Sequence, residues 1–248
     1  MIRRYICALG AMCWLAHPAY AVLDTQLQNL QTIETDAYKM ATHYFMYSVT
    51  DRSPEEQDKL NSLIAQTQTL VDQTRDSKIE AAWQGYHHAV TVNPTDSQGL
   101  VVEDTLINVQ KEMKPLITAV ESSIAAAHLP SNNSSGLIFQ QSVLMERMTA
   151  EYLRRASDTM GGSIVANTGG NTEDPEQMAV QFTKNMDSLL HAYEGNKNVY
   201  EHLWVAYRYW NFIKGRMIDF NSKSVPYIVS IFNTNITVQL NDAYSAAN

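Results

Sequence analysis

Along this chain the apolar residues return at every third or fourth position, not at every second. From Leu27 a stripe runs through Leu30, Ile33, Ala37, Met40, Tyr44 and Tyr47, the spacing of one face of an amphipathic helix. Ser53-Pro54-Glu55-Glu56 then reads as a helix start. Serine is a favoured N-cap, proline fits a first turn where no backbone N–H is needed, and acids suit the positive end of the helix dipole. The next stripe, Leu60, Leu63, Ile64, Thr67, Leu70 and Val71, fades into Asp76-Ser77 and resumes at Ile79, Ala82, Trp83, Tyr86 and Val90. Asn93-Pro94-Thr95-Asp96 ends it, because the residue before a proline is pushed out of the helical region. A third long stripe runs from Leu100 through Leu106, Val109, Met113, Leu116 and Val120 to Ile124, with Pro115 placed to kink it.

Leu129-Pro130-Ser131-Asn132-Asn133-Ser134-Ser135-Gly136 is polar and reads as a linker. After it the helical pattern starts again. Leu137, Leu144, Met148 and Tyr152 predict a helix, the Gly-Gly pairs between 161 and 174 predict a loop, and Pro175-Glu176 opens a helix through Phe182, Met186, Leu189 and Leu190. An aromatic-rich helix is expected from Val199 to about Phe220, and a last one after Pro226. The β-branched cluster at 224–237 is the strongest strand-like signal, and it too is expected to be helical. The fold class predicted is therefore all-α: tandem antiparallel helical bundles of four-helix type, or the same helices fused into one elongated bundle.

The restart has the look of an internal duplication. Lys39-Met40-Ala41-Thr42-His43-Tyr44-Phe45 lines up with Arg147-Met148-Thr149-Ala150-Glu151-Tyr152-Leu153, an offset of 108 (147 minus 39). Further on, Thr69-Leu70-Val71 matches Ser188-Leu189-Leu190, and Trp83-Gln84-Gly85-Tyr86 matches Trp204-Val205-Ala206-Tyr207. The expected organisation is a first repeat over 22–129 and a second over 137–248.

Residues 1–21 read as a leader. Arg3 and Arg4 give a positive start, 5–16 is an apolar run of about 12 residues, short of the ~20 a membrane helix needs, and Ala19-Tyr20-Ala21 is a small-x-small cleavage signal. The expected location is periplasmic or secreted. Cys7 and Cys13 both lie in this leader, so the mature chain is expected to have neither a disulfide nor a thiolate. The whole chain carries a net charge of −8, and losing Arg3 and Arg4 makes the remainder more acidic still. Nucleic acid is a poor partner for such a body, and no second segment long enough to span a membrane follows.

Chemistry is sparse. There is no Gly-x-Ser-x-Gly turn, no phosphate-cradling loop ending in Lys-Ser/Thr, and no Glu-x-x-His or His-Glu-x-x-His pair. No metal and no cofactor are expected. His87-His88, His43, His128, His191 and His202 read as scattered surface residues, and Arg147 with Glu151 as an i, i+4 pair on a helix surface. The densest feature is aromatic: Tyr200, Trp204, Tyr207, Tyr209, Trp210 and Phe212, with Arg208 among them. Trp204 and Tyr207 share a face, while Tyr209 and Trp210 point elsewhere. The set reads either as bundle core or as an aromatic pocket or docking surface.

Gln141-Ser142-Val143-Leu144-Met145-Glu146-Arg147-Met148, followed by Glu151-Tyr152-Leu153, resembles the opening helix of the PilJ-type sensor domain, the periplasmic module of type IV pilus chemoreceptors. That domain is itself similar to the sensing module of nitrate/nitrite sensor kinases. The family pattern is Gln-Arg-Met-Leu-x-Gln-Arg-Met, matched here at Gln141, Leu144, Arg147 and Met148. Three positions depart from it. Ser142 stands where the family has the arginine that resembles the kinases' nitrate-binding residue, Val143 replaces methionine and Glu146 replaces glutamine. The resemblance covers the second half, with a weaker echo in the first.

It implies a non-catalytic sensory or ligand-binding protein that acts with a membrane-bound signalling partner. The ligand expected is small and polar or anionic, oriented by Gln141, Arg147 and Arg208 between walls formed by Trp204 and Tyr207. The alternative is a structural or docking protein that binds a pilus, receptor or envelope component through an aromatic helix face.

Overall fold

The computed structural model describes residues 17–92, 103–126, 134–157, 175–218 and 225–248. The leader up to residue 16, the helix stop at 93–96, the linker as far as 133 and the loop at 161–174 lie outside the described residues. Within them the structure is all-α, with no strand. In chain order the helices are α1 (His17–Val49), α2 (Pro54–Thr74), α3 (Ser77–Thr91), α4 (Glu103–Ala126), α5 (Ser134–Ser157), α6 (Pro175–Ala192), α7 (Lys197–Ile218) and α8 (Pro226–Ala247). The β-branched run at 226–237 is helical, because Val229, Ile236 and Leu240 recur at helical spacing and all three are buried.

Local chemistry sets the boundaries. Asp76 caps α3 by accepting from the N–H groups of Lys78 at 2.9 Å and Ile79 at 3.4 Å. Arg75, at φ 52° and ψ 27°, turns the chain out of α2 in the left-handed conformation, so the fade at Asp76-Ser77 is a true break. Ser53 occupies the N-cap of α2 without a side-chain bond, and Pro54 supplies the first turn. Pro115 lies inside α4. Ser134, Ser135 and Gly136, read as the end of a linker, belong instead to the first turn of α5. Leu137 is exposed, and it is Ile138 that faces the core.

The helices pack in two sets of four with the same pairing order. α1 lies against α2 and α4, α3 against α4, and α2 against α3; in the second set α5 lies against α6 and α8, α7 against α8, and α6 against α7. α1 and α2 are antiparallel, as the bonds Asn29–Gln73 (3.1 Å), Gln66–Asp36 (2.9 Å) and His43–Glu56 (2.7 Å) show by running in opposite directions along the two helices. The sets join through α1 and α5. Glu34 interacts with Arg147, and Ser157 Oγ donates to the Phe45 carbonyl at 3.3 Å, so these two helices run parallel.

The aligned heptads behave alike. Met40 and Met148, Tyr44 and Tyr152, and Phe45 and Leu153 are all buried, while Lys39 and Arg147 are both half-buried. Tyr44 Oη donates to the Val92 carbonyl at 3.0 Å, at the exit of α3, and Tyr152 Oη accepts the Val225 N–H at 3.0 Å, at the entry of α8. Each tyrosine thus holds a residue at the end of the third helix or the start of the fourth in its own set.

The tryptophans do not follow the alignment. Trp83 is fully buried and donates to Gln68 on α2 at 2.7 Å. Its counterpart in environment is Trp210, also fully buried and donating to Thr183 on α6 at 3.0 Å, whereas Trp204 is 45% exposed.

Candidate functional site: a polar seam between α1 and α5

A peripheral helix turns its polar side to water. α1 and α5 cannot, because each is covered by its own set on one side and by the other leading helix on the other side. The polar residues of both are therefore enclosed. Asp36, Thr42, Glu146, Thr149 and Arg154 are all buried, and Glu34, Lys39, His43 and Arg147 are half-buried.

Around Glu146 the groups of both sets converge. Its carboxylate accepts from Asn233 Nδ2 of α8 at 2.7 Å, and Lys39 and His43 of α1 act on it electrostatically. Burial raises its pKa against the pull of Lys39. Asp36 accepts from Gln66 at 2.9 Å and Thr67 at 3.4 Å, with Lys39 at 3.9 Å. Burial still raises its pKa to about 6. His43 and Lys59 hold Glu56 at 2.7 Å and 3.2 Å, and this pairing outweighs burial, so the Glu56 carboxyl stays below its ordinary value.

One turn back, Glu34 faces Glu121 of α4 and Arg147 of α5. Burial and the Glu121 charge raise its pKa to about 7, and Arg147 opposes them. One turn forward, Glu151 is held by Arg154 at 2.9 Å and 2.6 Å and by Arg155 at 3.2 Å. The position read as surface is not one, since Glu151 is buried and Arg147 half-buried. Glu151 faces the arginines that follow it, and Arg147 faces Glu34 across the seam. His43, read as a surface residue, is half-buried, bonded to Glu56 of α2 at 2.7 Å and acting on Glu146 in the seam.

The hydroxyl oxygens of Thr42 and Thr149 and the Oδ1 of Asn233, all buried in or beside this seam, bond to no side chain or backbone group among the described residues. Carboxylates with raised pKa values, half-buried cations and such oxygens make a surface that can take up a proton near neutrality or hold a small polar molecule. Among the described residues there is no group of three His, Cys, Asp or Glu arranged to hold a metal ion.

The five residues expected to form one site are dispersed. Arg147 lies in the seam. Gln141 is buried on the α6 side of α5, donating to the Phe182 carbonyl at 2.6 Å and accepting from Asn185 at 3.0 Å, which occupies both ends of its amide. Trp204, Tyr207 and Arg208 are on α7, which packs against α6 and α8. Trp204 stacks on Tyr200 with ring centroids 6.5 Å apart and meets Tyr207 at 6.0 Å; Arg208 is exposed. Burial raises the Tyr207 pKa, Asp187 adds to the rise and Asn211 opposes it. Of the aromatic set read either as core or as a pocket or docking surface, Trp210 is core.

An open groove of about 440 Å³ between α6 and α7, lined by Thr183, Lys184, Asp187 and Lys214, is remote from the seam's carboxylates. Its lining is a shallow helix-helix furrow, without a convergent buried polar group. The seam residues that sequence reasoning missed, Glu34, Asp36 and Arg154, carried one signal: charges set beside an apolar stripe on the helix that leads each half.

Among the described residues no helix is long and apolar enough to cross a membrane. Compared with protein-family models, with curated proteins and with solved structures, the chain matches none.

Proposed function

We propose that this protein is a non-catalytic sensory or ligand-binding protein of PilJ-like type, exported from the cytoplasm and acting with a membrane-bound signalling partner. The observation that carries the reading is the enclosure of Glu34, Asp36, Glu146, Lys39 and Arg147 where the two helix sets meet. An apolar seam would hold the sets together at lower cost, since buried ionisable groups are retained against a desolvation penalty. Perturbed titratable groups gathered in one place are a signature of function. Two leading helices packed in parallel can transmit occupancy of the seam as a small axial shift of one against the other, which a partner at their ends would sense.

Of the five residues expected at the site, Arg147 is the one this reading keeps, with Lys39, Thr42 and Thr149 beside it. Carboxylates prevail over cations there, and Ser142 and Glu146 depart from the family pattern. A small polar ligand that offers donors as well as acceptors therefore fits better than a bare anion. The experiment is a thermal-shift screen with nitrate, nitrite, small organic anions and small amines or zwitterions. A ligand bound only by the native state raises the melting point. The expected result is a higher melting point with a zwitterion or amine, lost in Arg147→Ala. A rise that survives Arg147→Ala would move the site elsewhere.

A second reading, a docking protein for a pilus, receptor or envelope component, is favoured by the Tyr200, Trp204 and Tyr207 ladder, which holds a half-exposed indole on the outside of α7. Trp204→Ala would abolish partner capture under this reading and leave the ligand-dependent melting points untouched.

A further inference from the structure

Lys39 stands between two carboxyls and bonds neither closely. Its Nζ lies 3.9 Å from Asp36 Oδ1, too long for a hydrogen bond, and it also acts on Glu146. Asp36 and Glu146 repel each other and both are buried. Asp36 Oδ1 has no donor nearer than Lys39 among the described residues, since Gln66 and Thr67 of α2 both bond Oδ2. The other charges around the pair are engaged elsewhere. His43, which also acts on Glu146, is bonded to Glu56, and Lys59 holds Glu56 as well; Arg147 and Glu121 face Glu34. From α8 only the neutral Asn233 and Thr237 reach Glu146, and that helix has no charged side chain from Pro226 through Asn241. Two carboxyls about one ammonium balance their charge by keeping one proton between them.

The remaining polar atoms beside the pair are of one kind. Thr149 stands three residues after Glu146 on α5 and Thr42 three after Lys39 on α1, each one turn on along the same side of its helix. Their hydroxyl oxygens and the Oδ1 of Asn233, whose amide nitrogen holds Glu146 at 2.7 Å, are buried oxygens. Oxygens and carboxylates together call for a group that brings donors and positive charge. A primary ammonium has three N–H donors and no acceptor. An alkali cation brings the charge without N–H donors, and an anion brings neither.

We propose that the seam admits a primary ammonium group between Asp36 and Glu146, and that it enters in exchange for the proton the two carboxyls share. The inference rests on the reading of the seam as a ligand site and adds to it the ligand's chemical group and the means of its control. The ammonium arrives charged and the proton leaves to water, so the charge of the cluster is unchanged and no uncompensated charge is buried. Binding is then linked to pH. Asp36, which burial raises to about 6 against the pull of Lys39, holds the proton at pH 5 and has released it by pH 7. The ligand competes with the proton on the acid side and binds without release on the alkaline side.

Isothermal titration calorimetry of the full chain with methylammonium chloride, in two buffers of different ionisation enthalpy, tests the exchange. Like a lysine side chain, this probe stays charged from pH 5 to pH 8. The expected result is about one proton released per probe bound at pH 5, almost none at pH 8, and affinity about tenfold tighter at pH 7 than at pH 5. Potassium chloride at the same ionic strength should bind roughly tenfold more weakly, because it offers no N–H to the seam's oxygens. Asp36→Asn should remove the pH dependence, and Thr149→Val should weaken binding roughly fivefold with helical circular dichroism unchanged. Methylammonium bound with no proton released at pH 5, potassium bound equally well, or no methylammonium bound at all would overturn the proposal. The wider reading of the seam fails by a different outcome, when no compound gives an Arg147-dependent rise in melting point.

Discussion

The leading helices of the two sets meet the same packing requirement with different charges. At aligned positions Met40 and Met148, Tyr44 and Tyr152, and Phe45 and Leu153 are buried alike, and the two tyrosines bond the backbone at Val92, where the third helix of one set ends, and at Val225, where the fourth of the other begins. Where α1 has His43, reaching across to Glu56 on α2, α5 has Glu151, gripped by Arg154 and Arg155 of its own helix. The first arrangement ties two helices together and is tuned by a histidine. The second keeps its ion pairs within one helix and buries them more deeply. Packing sets the frame that the halves share, and electrostatics is what distinguishes the two sides of the seam.

The largest effects should come from the shared frame. Trp83→Ala and Trp210→Ala each remove a fully buried indole and should each cost about 3–5 kcal/mol in urea denaturation. Similar losses would bear out the pairing of Trp83 with Trp210, whereas a small loss at Trp210 would break it.

Next comes the deeper ion pair. Arg154→Met takes from Glu151 its two shortest bonds, leaving Arg155 and a long contact from Gln110, and removes a buried charge. It should destabilise by roughly 2–4 kcal/mol, far more than a neutral surface change. His43→Ala, at the aligned position on the more accessible side, should cost less, about 1–2 kcal/mol, by equilibrium unfolding.

Smaller again, Tyr44→Phe and Tyr152→Phe each delete one hydroxyl bond at the same point of the two sets. Each should lower stability by about 1 kcal/mol, and in Tyr152→Phe amide exchange should accelerate at Val225, whose N–H loses its acceptor, while the Val92 N–H keeps its bond to the His88 carbonyl. The smallest change has the opposite sign. Arg75 is held at φ 52°, so Arg75→Gly relieves a left-handed non-glycine residue and should stabilise by ~0.5–1 kcal/mol, read as a raised urea midpoint.

Much of the frame was legible from periodicity alone. The stripes at Leu30 to Tyr44, Phe182 to Leu190 and Leu60 to Val71 point inward as their spacing requires, since burial of a three-to-four repeat needs no knowledge of the partner. The alignment of Lys39 to Phe45 with Arg147 to Leu153 also placed residues of matching burial, His43 and Glu151 excepted. The alignment at Trp204 did not, because one helix can bury a tryptophan on either side of a stripe, and only the packing of α6 selects Trp210.

The site was the least legible part. Gln141 and Arg147 lie on one helix, yet they face different neighbours, and which neighbour a polar residue meets depends on how the sets dock. Nothing local to Glu34 or Asp36 announces that a second bundle covers them. Ser134 to Gly136 differ from their linker reading for a related reason: small polar residues suit a linker and a helix start equally well.

The seam itself is tested most directly by the pH dependence of unfolding free energy in wild type and in Glu34→Gln/Asp36→Asn. Raised carboxyl pKa values mean that the native state holds these protons more tightly than the unfolded chain. Their contribution is full below the unfolded values near 4 and is lost as pH rises through about 6 for Asp36 and about 7 for Glu34. Glu56, held low by His43 and Lys59, works in the other sense and loses its contribution as pH falls below its unfolded value of about 4.5. A tenfold difference in proton affinity between the folded and unfolded chain is worth about 1.4 kcal/mol for each group. The wild type should therefore be most stable at about pH 5 and lose on the order of 2–4 kcal/mol by pH 8. The double variant should lose less than half of that. A wild-type profile flat from pH 5 to pH 8, or a double variant with an unchanged slope, would contradict a titrating seam between α1 and α5.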